Sequence, residues 1–338
     1  MGFPVFISLG QSHHPVKREL EKEIAGQLHR HPEFDVTMIA NLYDLKPDGP
    51  ALEALGNIEQ EMIVFSWNYQ RAAHWILDRQ GIRGTVGEIE LQHGSADDED
   101  ELEDELEDEQ GEELSRVIDS RPLPERQIYC INLQSSSSAE DFIEEAERIV
   151  ASSLEQWIEG NPTAEQRARY QHPGNPQAED AGSLPPAIEE NSARRWYPVI
   201  DFSRCTNCME CIDFCLFGVY GVDRAETILV EQPDNCRKGC PACSRVCPEN
   251  AIVFPQHKTP AIAGAPVDVG NLKIDLSLLF GKPEAADVAA RERDEQLILA
   301  GRSPVDGDEM PLEKRQAGKP TLPADELDAL LDELETLE

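Results

Sequence analysis

Basic side chains are scarce in this sequence. Thirty Lys and Arg stand against 66 Asp and Glu, a formal net charge of −36 over 338 residues. That balance excludes nucleic acid and anionic membrane surfaces as partners, since both require a basic footprint; a basic or neutral docking partner is compatible with it. Long apolar runs are missing as well. None approaches the roughly 18–20 residues of a spanning helix, so no membrane insertion is expected. The first residues, MGFPVFISLGQSHH, have neither the basic start nor the apolar stretch of a secretory signal. A cytoplasmic location follows as the expectation, and in a reducing compartment nine cysteines read as metal ligands or core residues before they read as disulfides. No GxxxxGK[ST] loop occurs and no GxGxxG follows a strand, so nothing supports nucleotide binding.

The acidity is concentrated. Asp97 to Glu113 holds 13 acids and no base, and Asp325 to Glu338 holds seven more, also without a base. Between and around these blocks the chain divides into four parts. Residues 1–159 alternate strand-like and helix-like stretches. Val5 to Leu9, Phe34 to Ala40, Met62 to Phe65, Thr85 to Leu91 and Gln127 to Leu133 are strand candidates. Residues 15–30 carry Val16, Leu20, Ile24 and Leu28 at every fourth position, residues 69–80 form a second helix ending at Gly81, and Ser138 to Glu159 form a long amphipathic helix with Ser138 placed to cap it. This order predicts an α/β domain with a mostly parallel sheet of about five strands. The acidic stretch, residues 96–115, enters as a disordered insert before the last strand, because nothing in it repays the entropy of ordering.

Residues 160–194, rich in Pro, read as a linker. Residues 195–257 form a compact cysteine-rich unit with a weak twofold internal repeat. Residues 258–338 read as a mostly disordered tail with an apolar patch at Leu272 to Phe280. It closes in an acidic amphipathic helix, 324–338, with Leu327, Leu330, Leu331, Leu334 and Leu337 on one face. Such a helix is suited to dock in a partner's groove.

Eight of the nine cysteines fall into two quartets, Cys205-x2-Cys208-x2-Cys211-x3-Cys215 and Cys236-x3-Cys240-x2-Cys243-x3-Cys247, the second followed by Pro248. Three thiolates two residues apart in a tight loop can reach three corners of an iron–sulfur cube. The fourth, three residues on at the start of a short helix, points away from that cube and is free for a second one. On that logic Cys205, Cys208, Cys211 and Cys247 hold one [4Fe–4S] cluster, and Cys236, Cys240, Cys243 and Cys215 hold the other. Apolar segments flank each quartet and would shield the clusters from water. Two zinc sites would also use eight cysteines, but zinc modules pair two C-x2-C knuckles across longer spacers. The ninth, Cys130, lies mid-strand in QIYCINL and reads as a buried, inert thiol.

The stretches CTNCMECIDFC and CRKGCPACSRVCPENAI resemble the bacterial-type ferredoxins with two [4Fe–4S] clusters, over about 60 of the 338 residues. The resemblance implies a small α+β ferredoxin-like dicluster fold of repeated βαβ type, with one-electron transfer. Two positions depart from the family pattern. Leu216 stands where a proline usually follows the fourth cysteine of the first half, and Arg237-Lys238-Gly239 are three residues where two are usual.

In the N-terminal domain the carboxyl ends of parallel strands are the expected binding positions. They carry Gln11-Ser12-His13-His14 and Ser66-Trp67-Asn68-Tyr69. His13 and His14 are candidates for a ligand or metal role against ordinary loop polarity, Trp67 and Tyr69 for a binding platform against packing, and His74 reads as a surface or interface residue. The sequence points to an electron-transfer protein, with no catalytic side chain, that relays single electrons to a redox partner protein or within an oxidoreductase complex. Two alternatives stay open: an oxidoreductase whose α/β domain does chemistry fed by the clusters, and an iron–sulfur sensor.

Overall fold

A computed structural model describes residues 2–91, 115–159, 184–266, 284–299 and 301–302. The acidic insert, the Leu272–Phe280 patch, the terminal helix 324–338 and most of the 160–194 stretch lie outside these residues. The chain forms two compact units, residues 1–289 and 290–338. In the second, Gly301 turns at φ 72°.

The first unit is built on a six-stranded sheet. Its strands are β1 (Phe3–Ser8), β2 (Phe34–Ile39), β3 (Met62–Ser66), β4 (Thr85–Val86), β5 (Gln127–Asn132) and β6 (Ala187–Ile188), in the order β4-β5-β3-β1-β2-β6. Every pairing in it is parallel. The helices are α1 (Pro15–Arg30), α2 (Pro50–Gly56), α3 (Gln70–Arg79), α4 (Val117–Ser120) and α5 (Ala139–Glu159). Both faces of the sheet are covered, which is why its central strands read as unbroken apolar runs. Along β1, Val5 and Ile7 meet α1 and α5 on one face, while Phe6 joins α2 and α3 on the other.

Local sequence accounts for the helices. Pro15 sits at the first position of α1, where its missing N–H costs nothing, and His29 and Arg30 place positive charge in the last turn. The buried stripe runs through Leu20, Ile24 and Leu28 but not Val16, which is 67% exposed in the first turn. Gly81, at φ 83°, supplies the left-handed residue that ends α3. Ser138 Oγ accepts from the Glu140 N–H at the start of α5.

Two strands differ from expectation. β4 stops at Val86 because Gly87 passes against Tyr129, where an added Cβ would lie 2.3 Å from the ring. Within the stretch read as linker, Ala187 and Ile188 pair with Met38 and Ile39, making a sixth strand.

Residues beyond β6 fold onto the second face of the sheet. Tyr197 and Val199 are buried in the same apolar cluster as α2 and α3. Tyr43 and Tyr197 stack with ring centroids 4.2 Å apart. The Tyr43 hydroxyl accepts the Tyr197 N–H at 2.6 Å and donates to its carbonyl at 2.5 Å, while the Tyr197 hydroxyl donates to the Tyr43 carbonyl at 2.9 Å. Tyr43→Phe would leave a buried N–H and C=O without partners, a loss of about 1–3 kcal/mol. Urea unfolding of the variant is expected to show the shift at an unchanged m-value.

Candidate metal centre

Residues 195–257 contain two antiparallel strand pairs. β7 (Val199–Ile200) pairs with β10 (Ile252–Val253), and β8 (Tyr220–Val222) pairs with β9 (Ile228–Val230). In each half the first two cysteines lie in a loop and the third in the five-residue helix that follows, Glu210–Phe214 or Ala242–Val246, while the fourth ends that helix instead of starting one. The repeat extends to the backbone. Cys215 and Cys247 both cap their helices in extended conformation, at φ/ψ −79°/108° and −70°/114°. Three residues later Gly218 and Asn250 both turn left-handed, at φ 67° and 47°.

The loops are bent by left-handed residues. Asn207 (φ 60°) and Met209 (φ 67°) alternate with the cysteines of the first loop. Asn207 can hold this costly conformation because its side chain is engaged: Nδ2 donates to the Glu226 carbonyl and Oδ1 accepts the Ile228 N–H, each at 2.9 Å. In the second loop Gly239 (φ 88°) absorbs the extra residue of Arg237-Lys238-Gly239, which only glycine does without strain.

The thiols fall into two groups in space. Cys205, Cys208, Cys211 and Cys247 together line one open pocket, walled by Ile200, Ile228, Ala251 and Ile252. Among the described residues, no three His, Cys, Asp or Glu side chains converge to hold a single metal ion. Burial, then repulsion from Cys247, Cys205 and Cys208, pushes the Cys211 thiol up to about 12. In the other group, burial raises Cys243 well above the thiol range, and Cys215, Cys236 and Cys240 add to the rise. Cys236 is raised in the same way by burial, Cys240 and Cys215. Thiols in such surroundings carry charge only beside a strongly cationic partner. The donor set therefore fits two multinuclear iron centres with thiolate ligands. Cys247, from the second half, lies near Cys205, Cys208 and Cys211, and Cys215, from the first half, lies near Cys236, Cys240 and Cys243.

Several contacts around the sulfurs were not legible in the cysteine spacing. Tyr220, fully enclosed, donates its hydroxyl to Cys243 Sγ at 3.1 Å, and the Ala251 N–H donates to Cys247 Sγ at 3.2 Å. Trp196 Nε1 donates to the Cys240 carbonyl at 3.1 Å. From the α/β fold, the Val117 and Ile118 N–H groups at the start of α4 donate to the Cys205 and Phe202 carbonyls, at 2.8 and 3.1 Å. Cys208 is the exposed one among the nine cysteines.

The strand ends of the N-terminal domain hold a different arrangement. His13 and His14 are exposed and brought to no cysteine or carboxylate cluster. The crevice between β1 and β3 is filled from within. Trp67 Nε1 donates to Glu21 Oε1 at 2.7 Å, the same oxygen accepts the Gly10 N–H at 2.7 Å, and Lys17 lies 4.1 Å from the centre of the indole. A Cβ on Gly10 would stand 2.8 Å from Trp67, so only glycine allows this closure. Trp67 packs here; Tyr69 is half-buried. His74 differs from expectation: at 4% exposure it is a core residue of α3, and burial lowers its pKa against the pull of Asp78 and Asp201. Its neighbour Asp201 comes from far downstream, which sequence periodicity could not foresee.

A stretch of 66 residues is 48% identical to an uncharacterized ferredoxin of Methanocaldococcus jannaschii. The matched stretch is 19% of this chain and 44% of the relative, so the chain spans less than half of that protein's length. The chain thus contains a ferredoxin-like segment. No family model matches the sequence. No solved structure matches it. Among the described residues, no helix is long and apolar enough to cross a membrane.

Cys130, enclosed in β5, has its thiol raised to about 12 by burial alone. It should resist alkylation at pH 8 in the folded protein and react once the chain is unfolded. Because the unfolded thiol ionises near 9 and the folded one does not, this residue lowers stability as pH rises above 9, and a pH series of unfolding midpoints in Cys130→Ala should lack that component.

Proposed function

We propose that this protein is an iron–sulfur electron carrier that holds two [4Fe–4S] clusters in residues 195–257. One is ligated by Cys205, Cys208, Cys211 and Cys247, the other by Cys236, Cys240, Cys243 and Cys215. The observation that carries this reading is the sorting of eight thiols, from both halves of a repeat, into those two groups, the first around one cavity. The similarity to a ferredoxin supports it. When bound, each cluster supplies reversible uptake of one electron.

The chain's own residues do the rest. The cysteines hold the iron, and no side chain makes or breaks a substrate bond. Ile200, Ile228, Ala251 and Ile252 keep water from the first site. The Tyr220 hydroxyl and the Ala251 N–H donate to ligand sulfurs, and such donors favour the more negative, reduced state. The exposed Cys208 marks the edge where electrons pass to a redox partner protein or an oxidoreductase complex.

Anaerobic purification followed by iron and acid-labile sulfide analysis tests the reading. About eight of each per chain, with an EPR signal on reduction, is the expected result for two cubanes. A colourless protein carrying two zinc ions would overturn it. Tyr220→Phe is expected to lower one of two reduction potentials and leave the iron content unchanged, read by EPR-monitored titration.

A further inference from the structure

Two short segments frame the cavity lined by Cys205, Cys208, Cys211 and Cys247. Asp201 follows β7 and opens the first loop, its carbonyl accepting the Arg204 and Cys205 N–H groups at 3.2 and 3.0 Å. Asn250 closes the turn that begins at Cys247, its N–H donating to the Cys247 carbonyl at 3.2 Å. These segments are nearly fifty residues apart in sequence, yet Cys205 and Cys247 have to face the same space.

One side chain from the α/β fold reaches both. Arg71, the second residue of α3, donates from Nε to Asp201 Oδ2 at 2.5 Å and from another nitrogen to the Asn250 carbonyl. The pair is enclosed, the two side chains being 11% and 2% exposed. The remaining guanidinium nitrogen is buried without a hydrogen-bond partner, a costly state for a charged fork. Asp201 does not simply cancel the charge. Its other oxygen accepts from the Ser203 N–H and hydroxyl, and Arg204 lies 3.6 Å from the oxygen that Arg71 holds. Two guanidinium groups thus share one carboxylate near Cys247, while Glu210 and Glu249 line the cavity itself.

We propose that Arg71 is the positioning residue for the cluster of Cys205, Cys208, Cys211 and Cys247, holding Cys247 in register with the Cys205 loop and stabilising that cluster's reduced form with a buried positive charge. The proposal rests on the two-cluster reading above. It assigns a role to the α/β domain: the domain supplies the cation that the ferredoxin-like segment is folded around. A lysine would keep the charge but could not make both contacts, because it lacks the planar fork. The electron taken up by the cluster adds negative charge with no proton needed, so the sign of each substitution is fixed. Removing the Arg71 charge lowers the potential, and removing the Asp201 charge raises it.

The test is an EPR-monitored reductive titration of the full chain as wild type, Arg71→Gln, Asp201→Asn, Arg71→Lys and Cys208→Ser. Arg71→Gln should lower one of the two midpoint potentials and Asp201→Asn should raise the same one, the couple that Cys208→Ser also perturbs. Arg71→Lys should leave that potential near the wild-type value while a chelator strips iron from that cluster faster than from the other. Shifts in the same direction, equal shifts in both couples, or no shift would overturn the proposal. Should Arg71→Gln fail to assemble the cluster, the direction of the Asp201→Asn shift still decides. Wild-type protein without iron and sulfide would instead overturn the two-cluster reading itself, and that is read before any substitution is made.

Discussion

Four sulfurs gathered in apolar surroundings cannot all carry charge on their own. Burial and mutual repulsion push the Cys211 thiol up to about 12 and raise Cys243 well above its ordinary range. Every feature of residues 195–257 answers to that constraint. To hold the proposed clusters, the sulfurs must be close enough to share a cationic core and far enough from water to protect it. The backbone has to turn left-handed at Asn207 and Met209 to present three of them from one short loop. It must also bring the fourth from the opposite half, which is why β7 pairs with β10 and not with a strand of its own half. Strands of two and three residues make a small core, so the cysteine unit has little apolar mass with which to hold such a loop by itself.

The sheet supplies what the small unit lacks. Its second face is closed by Tyr197 and Val199, so the segment leading to the first cysteine is part of the α/β core and not a tether beside it. The reciprocal hydrogen bonds of Tyr43 and Tyr197 fix the position of that segment along the sheet. Further along, Arg121 pairs with Asp78 at 2.9 Å and lies over the Phe202 ring, while α4 donates to the carbonyl of Cys205 itself. The crevice where an open parallel sheet commonly takes a ligand is meanwhile closed by Trp67 on Glu21. The domain's contacts with the rest of the unit are therefore concentrated on the face that carries the cysteines.

How much of this was legible in the sequence depended on the range of the interaction. The quartets could be read because iron chemistry demands one residue type at short, fixed spacing. The central strands and long helices could be read because burial imposes a local period, as in Leu20, Ile24 and Leu28. Ala187 and Ile188 could not, since two residues are too short for any alternation to show, and β4 was cut short by a close approach of Gly87 to a residue more than forty positions away. His74 is buried for a reason of the same range: among its neighbours is Asp201, far downstream in sequence. Arg71 bonds to partners 130 and 179 residues on, and no local pattern marks it.

The same distinction of range applies to the acidity. The acids of 97–113 and 325–338 supply 20 of the 36 net negative charges, whereas residues 197–257 hold eight acids and five Lys or Arg. Solvent screens exposed charges within about 8–10 Å at physiological salt. An enclosed charge such as that of Arg71 is screened far less, because little water or salt reaches it. The large net charge therefore bears mainly on solubility and on which surfaces this protein meets. On the proposed reading, the potential of the cluster sites answers to a few buried groups: Tyr220, the Ala251 N–H, Asp201 and Arg71. A sequence can accumulate acid in its appendages without shifting its redox chemistry, provided those enclosed groups are kept.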